Sequence, residues 1–185
     1  MSDPSSLASN SLRQNVRHLR DTVWLSRDDR DAYTGSSKSE MSPKTQNVDH
    51  VIEIQLLEHA ALDHASRNRE VMDRLREIAN SSPNLNVTSS RVNQSKRGPF
   101  TAAINRLKKR DGALRDVSVE QLARAGRAKW LVDNGCWDNI QREVVRCYES
   151  VEKEMEAKRL TRAQRKIMDE IHEDLHKTLD RIKIF

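Results

Sequence analysis

Residues 48–54 read Val48-Asp49-His50-Val51-Ile52-Glu53-Ile54, a short run rich in β-branched side chains and bounded by loop-type residues. Such a run is typical of a strand, and the Gln-Leu-Leu that follows it predicts an immediate turn into a helix. A second run of this kind, Asn84-Leu85-Asn86-Val87-Thr88, begins 34 residues after His50. Two serines then provide candidate N-caps for a helix that contains Asn93. The centre of the chain is therefore predicted to run strand, strand, helix.

The remainder of the chain is predicted to be largely helical. Apolar residues at helical spacing predict a helix of about four turns from Leu12, and residues 55–79 are helix-forming until Ser-Ser-Pro stops them. Gly98-Pro99 is expected to interrupt the helix after the second strand. From Ser118 onward nearly every residue fits a helix, and a capping-box pattern begins at Thr161. The predicted class is α+β, mostly α, with a helical insertion between the strands.

Composition narrows the classes of protein to which the chain can belong. Charged residues make up 33% and aromatic residues 4% of its 185 residues, a profile that fits a helical protein better than a sandwich or barrel. The net charge of +5 favours an anionic partner. Two cysteines without a Cys-x-x-Cys pair predict free thiols and no zinc knuckle. We expect no secretory signal, no membrane span and a location inside a cell.

Three pieces at the centre of the chain carry a resemblance. They are Val48-Asp49-His50-Val51-Ile52, then Asn84-Leu85-Asn86-Val87, then Val92-Asn93-Gln94-Ser95-Lys96-Arg97-Gly98. In this order they resemble the HNH family of ββα-metal endonucleases, in a variant with Asn on the helix and without a zinc knuckle. The resemblance covers about residues 33–98, and Tyr33-Thr34-Gly35 lies where relatives often have the knuckle, as a turn that holds no metal. The 34-residue gap exceeds the family's short connection and requires the insertion.

The resemblance implies a role for each of four residues. His50 is the general base, since a neutral imidazole can take a proton from water near neutral pH. Asp49 and Asn93 supply oxygen ligands to Mg²⁺, or to another divalent cation such as Mn²⁺. Neighbouring side chains of a strand point to opposite faces, so a bend at the strand end must let both Asp49 and His50 reach the site. Asn84 belongs to the catalytic set by constraining the loop that positions His50, without contacting the metal.

A basic run accompanies the last of these pieces. Between Ser89 and Arg110 there are seven basic residues and no acidic one, which is the local charge that contact with a phosphate backbone needs. The alternative interpretation is a solvated helix face. The residues predicted to bind nucleic acid are Arg91, Lys96, Arg97, Lys108, Lys109 and Arg110.

The predicted organisation has three parts. Residues 1–11 form a disordered tail, residues 12–112 an HNH-like nuclease core with a small ββα-metal centre, and residues 113–185 a C-terminal helical region. The apolar seam from Ile140 to Ile182 either folds back on the core or pairs with a second copy to form a homodimer.

The resulting hypothesis is a metal-dependent endonuclease that hydrolyses phosphodiester bonds of DNA, with duplex DNA preferred. The alternatives are a catalytically inactive HNH-like module that binds nucleic acid, and a helical protein-interaction domain in which the Asp-His pair is incidental. The Asp-His-Val-x-Glu-Ile-Gln version of the strand resembles domains of host-directed effectors, Crinkler-type effectors among them, which would place the chain in the nucleus rather than the cytoplasm.

Overall fold

A computed structural model describes residues 11–64, 68–108, 116–157 and 160–185, so most of the predicted tail lies outside the described residues. Strands β1 (Gln46–His50) and β2 (Leu85–Ser89) pair antiparallel, with Val48 opposite Val87. The rest of the described chain is mainly helical, which confirms the predicted class, α+β and mostly α. Apolar side chains of β1 and β2 pack against Val16, Val23 and Trp24 in a small cluster of their own.

The described part of the chain contains eight α-helices. They are α1 (Arg20–Ser26), α2 (Ile54–Ala60), α3 (Arg69–Ala79), α4 (Ser90–Lys108), α5 (Val119–Arg124), α6 (Lys129–Asp133), α7 (Cys136–Ala157) and α8 (Arg162–Arg181). Short 3-10 turns lie at Arg17–Leu19, Lys38–Glu40 and Ser82–Asn84. The long connection between the strands thus contains α2 and α3, and α4 follows β2 directly.

Two predicted helices differ from the observed ones for identifiable reasons. The segment before Arg17 is not helical, because its backbone bonds to other elements: the N–H of Leu12 donates to Glu58, and that of Gln14 to Asn80. Leu12 is nevertheless buried, as its spacing predicted. Pro99 lies inside α4 and does not interrupt it. A proline removes one hydrogen bond from a helix, and here Pro99 is itself buried against the core.

The two C-terminal helices fold back on the rest of the chain. Ile140, Val144, Ile171 and Leu175 are buried in one hydrophobic cluster with side chains of α2, α3 and α4. The seam predicted to offer a homodimer surface is therefore covered within the chain and gives no support to that homodimer. The predicted boundary at residue 112 falls in a segment outside the described residues. No helix in the described ranges is long and apolar enough to span a bilayer.

Candidate active site

The loop after β1 is fixed by Asn84. The strand ends at His50 and the chain bends at Val51 and Ile52, as the resemblance requires. The buried Asn84 amide accepts a hydrogen bond from the N–H of Ile52 (2.8 Å) through Oδ1. Its Nδ2 donates to the carbonyls of Ala79 (2.8 Å) and Ile52 (3.4 Å). Asn84 therefore ties the bend to the end of α3 through backbone hydrogen bonds, which is the loop-constraining geometry expected of it.

The His50 imidazole is held by Asn80. Nδ2 of Asn80 donates to the carbonyls of Leu12 (2.8 Å) and Arg76 (2.6 Å), so Oδ1 faces the His50 Nε2 at 3.0 Å as an acceptor. A neutral His50 must then carry its proton on Nε2, which leaves the lone pair on Nδ1. Burial lowers the pKa of His50 below its usual 6.5, an effect that the bond to Asn80 only partly offsets. His50 is thus an oriented imidazole that stays neutral near pH 7.

Asp49 lies in a buried ion-pair cluster. The ammonium of Lys96 donates to Asp49 Oδ2 (2.6 Å), to Glu53 Oε1 (2.9 Å) and to the His50 carbonyl (2.6 Å). The hydroxyl of Tyr33 donates to the same Oδ2 at 3.0 Å. With Lys96 and both carboxylates ionised, the cluster carries one net negative charge. The ion pairs therefore hold α4 against β1, and the net negative charge of the cluster attracts a cation.

Burial and the charges of the cluster together set the pKa values of its members. Burial raises the pKa of Asp49 to about 6, and the nearby Lys96 opposes that rise. Burial acts to lower the pKa of Lys96, but the two carboxylates outweigh it and the pKa lies above its usual value. Burial, together with the neighbouring Asp49, also holds the pKa of Tyr33 well above 10. Lys96 is therefore a permanent cation and Tyr33 a permanent donor at neutral pH.

A cleft of about 320 Å³ brings the proposed site residues together. Asp49, His50 and Asn93 all line it, with Asn93 on the first turns of α4. Basic side chains surround them, namely Arg13 and Arg17 from the N-terminal segment and Arg97 from α4. The cleft thus combines a neutral imidazole, the oxygens of two carboxylates (Asp49 and Glu53) and of the Asn93 amide, and positive charge, which are the kinds of group that hydrolysis of a phosphodiester uses.

The donor set fits a hard divalent cation bound mainly by water and substrate. The described residues contain no group of three or more His, Cys, Asp and Glu side chains that could enclose a metal ion. Asp49 and Asn93 offer one carboxylate and one amide oxygen to the same cleft. Mg²⁺ is commonly held by one or two carboxylates and completes its shell with water and phosphate oxygens. The Asp49 and Asn93 oxygens beside an open cleft, which Glu53 also lines, are compatible with that preference.

The predicted nucleic-acid contacts have different outcomes. Lys96 is fully buried, so its assignment to phosphate contact is wrong. Its ammonium forms ion pairs with Asp49 and Glu53. Arg97 is exposed and lines the cleft, and Lys108 is exposed at the end of α4. Arg91 is exposed and its guanidinium lies 4.3 Å from the centre of the Trp130 ring. Lys109 and Arg110 lie outside the described residues.

Sequence reasoning missed four contributors to the cleft. Arg13 and Arg17 fall within the helix predicted from Leu12, and nothing local indicates that they flank His50. No pattern around Asn80 indicates that it holds the imidazole of His50. Glu53 did leave a signal, because an acidic residue between Val51-Ile52 and Ile54 must be paired when it is buried.

The comparisons with known proteins add no relative. The chain matches no protein-family model, no curated protein and no solved structure. The likeness to HNH endonucleases therefore rests on the residues of the site and on the order strand, strand, helix that carries them.

Proposed function

We propose that the chain is a metal-dependent endonuclease that hydrolyses phosphodiester bonds of DNA through an HNH-type site. One observation carries the proposal: a histidine held as a neutral base lines the same cleft as a carboxylate, an amide and three arginines. Mg²⁺, or Mn²⁺ in its place, is the proposed cofactor, with Asp49 and Asn93 as its protein ligands.

The residues divide the chemistry between them. His50 takes a proton from water at Nδ1 and the hydroxide oxygen bonds to phosphorus, while the bond from phosphorus to the leaving oxygen breaks. The leaving oxygen takes a proton from solvent, and His50 later releases its own proton to solvent. When bound, the cation stabilises the charge that develops on the phosphate and on the leaving oxygen. Asn80 fixes the tautomer of His50, and Asn84 fixes the loop that carries it.

Nicking of supercoiled plasmid tests the proposal. Wild type should nick in Mg²⁺ or Mn²⁺ and not in EDTA, and His50→Ala and Asn93→Ala should lose the activity. Removal of a general base costs about 10²–10⁴-fold in rate. His176→Ala and Asn105→Ala are matched controls, because these exposed residues do not line the cleft. Nicking that survives His50→Ala, or that persists in EDTA, would contradict the proposed site.

A specific observation favours a second candidate, an inactive HNH-like module that binds nucleic acid. The Lys96 ammonium lies beside the Asp49 carboxylate and offsets its negative charge. As long as this ion pair persists, Asp49 attracts a metal cation less strongly. Retained binding of DNA without nicking in either metal would favour this candidate. Absence of both would favour a helical protein-interaction domain. The endonuclease proposal includes a location inside a cell, nuclear for a host-directed effector and cytoplasmic otherwise.

A further inference from the structure

A second basic cleft adjoins the proposed active site. It has a volume of about 270 Å³ and is formed by the 3-10 turn at Arg17–Leu19, the start of α1 and the segment that leads into β1. It shares Arg17, Asn47 and Val48 with the first cleft, so the two clefts are adjacent. The residues that belong to the second cleft alone include Arg20 and Lys44.

The charge of this second cleft is uncompensated. No aspartate or glutamate of the described chain lines it. The side chains of Arg17, Arg20 and Lys44 form no ion pair with any residue in the described ranges, whereas Lys38, close to them in sequence, pairs with Asp21. Unpaired cations gathered around a concave surface attract an anion, because the walls focus the potential.

The lining also indicates which part of a nucleic acid would be recognised. No Phe, Tyr or Trp of the described chain lines either cleft, so the large stacking surfaces typical of single-strand binding are missing there. The Gln46 amide is already used at both ends, since it accepts from Trp24 Nε1 (3.2 Å) and donates to the Met41 carbonyl (3.0 Å). Besides the Asn47 amide, the second cleft offers mainly the positive charge of Arg17, Arg20 and Lys44, which contacts phosphates without selecting bases.

We propose that the second cleft binds the phosphate next to the scissile one in the backbone of duplex DNA, independently of base sequence. Arg17 spans the two clefts, while Arg20 and Lys44 hold the flanking phosphate. This inference rests on the proposed function in that it takes the first cleft as the place of hydrolysis. It adds that the chain acts on polymeric duplex and tracks its backbone rather than its bases.

Fluorescence anisotropy with a labelled mixed-sequence duplex, in EDTA and over a range of KCl concentrations, tests this binding without cleavage. Arg20→Gln and Lys44→Gln should each weaken binding roughly ten-fold. Each should also reduce the slope of log K against log salt by about 1, as loss of one phosphate contact does. Lys153→Gln on α7 removes the same charge from an exposed site outside both clefts and should change neither quantity.

The outcomes separate this inference from the proposed function. If wild type nicks plasmid while Arg20→Gln and Lys44→Gln bind duplex as Lys153→Gln does, the second cleft is not a phosphate site and the endonuclease proposal stands. If the two variants bind weakly and wild type never nicks, the cleft is supported and the endonuclease proposal falls. Tighter binding of an oligothymidylate single strand than of duplex, or a marked preference among duplex sequences, would overturn the assignment to a duplex backbone.

Discussion

Replacement of Lys96 by methionine tests the buried cluster at its centre. The ammonium is 0% exposed and donates to two carboxylates and one carbonyl within 2.9 Å. Breaking a buried ion pair by removing one partner costs about 3–5 kcal/mol, because the remaining charge is left unpaired. Methionine keeps the unbranched stem, so little of this cost comes from lost volume. We expect the free energy of unfolding to fall by about 4 kcal/mol at pH 7.

The loss should depend on pH in a defined direction. Burial raises the pKa of Asp49 above its unfolded value, and removal of Lys96, which opposes that rise, leaves this pKa higher still. Between the unfolded and the folded value the folded state binds more protons, so the free energy of unfolding falls as pH rises. The difference from wild type should therefore be larger at pH 8 than at pH 5. Urea unfolding followed by the fluorescence of the buried Trp24 and Trp137 measures it.

A companion variant separates charge from packing. Lys96→Met combined with Asp49→Asn and Glu53→Gln leaves no unpaired charge, and most of the lost stability should return. A loss below about 1 kcal/mol for Lys96→Met, typical of a surface site, would refute the buried cluster. If the same variant instead reduced the salt dependence of DNA binding, Lys96 would contact phosphate, as the basic run in the sequence suggested.

Three further predictions concern neighbouring groups. Asn84→Ala should cost roughly 2–4 kcal/mol in urea unfolding, because the N–H of Ile52 loses its buried partner, yet calorimetry should find cation affinity little changed. In metal-free protein, NMR should find the pKa of the His50 ring below 6.5. The free energy of unfolding should fall as pH drops below 6.5, since the unfolded state then binds the proton more readily. Asn80→Asp should raise the pKa of His50. Burial raises the pKa of the Cys147 thiol to about 12. Above pH 9 the thiol therefore loses its proton first in the unfolded state, and the free energy of unfolding should fall as pH rises, by at most about 1.4 kcal/mol per pH unit. A thiol reagent should modify Cys147 only after unfolding.

Local chemistry was sufficient for the parts of the fold with strong signals. The second run became β2 almost entirely, because its side chains suit a pleated, half-buried surface, whereas only residues 48–50 of the first run lie in β1 and the chain bends at Val51. The capping box at Thr161 forms as expected, because the Gln164 side chain accepts a hydrogen bond from the backbone N–H of Thr161. The expected constraint on the loop by Asn84 also matches the observed hydrogen bonds. The strand and the capping box depend on interactions within a few residues, whereas Asn84 meets Ile52 across 32 residues and its role was expected from the resemblance.

The charges could not be placed in the same way. Lys96 belongs to a run of basic residues with no acidic neighbour in sequence, so it resembled a surface charge. Its true partners, Asp49 and Glu53, lie more than forty residues earlier and meet it only after α4 packs on β1. Arg13 is the reverse case: the helix predicted from Leu12 does not form there, and a non-helical segment carries Arg13 to the cleft. Burial of a charge depends on which elements pack together, and no local pattern encodes that choice.

The C-terminal region contacts elements of the site although none of its described side chains lines the cleft. Cys147 on α7 donates through Sγ to the Oδ1 of Asn84 (3.1 Å), the atom that also holds the bend after β1. One turn earlier, Glu143 pairs with Arg27 at 2.7 Å, and Arg27 in turn donates to the Leu85 carbonyl of β2. Helix α7 thus reaches the bend after β1 through Asn84 and the second strand through Arg27. The resemblance covers only about residues 33–98, so nothing in it indicated these two contacts of the C-terminal region.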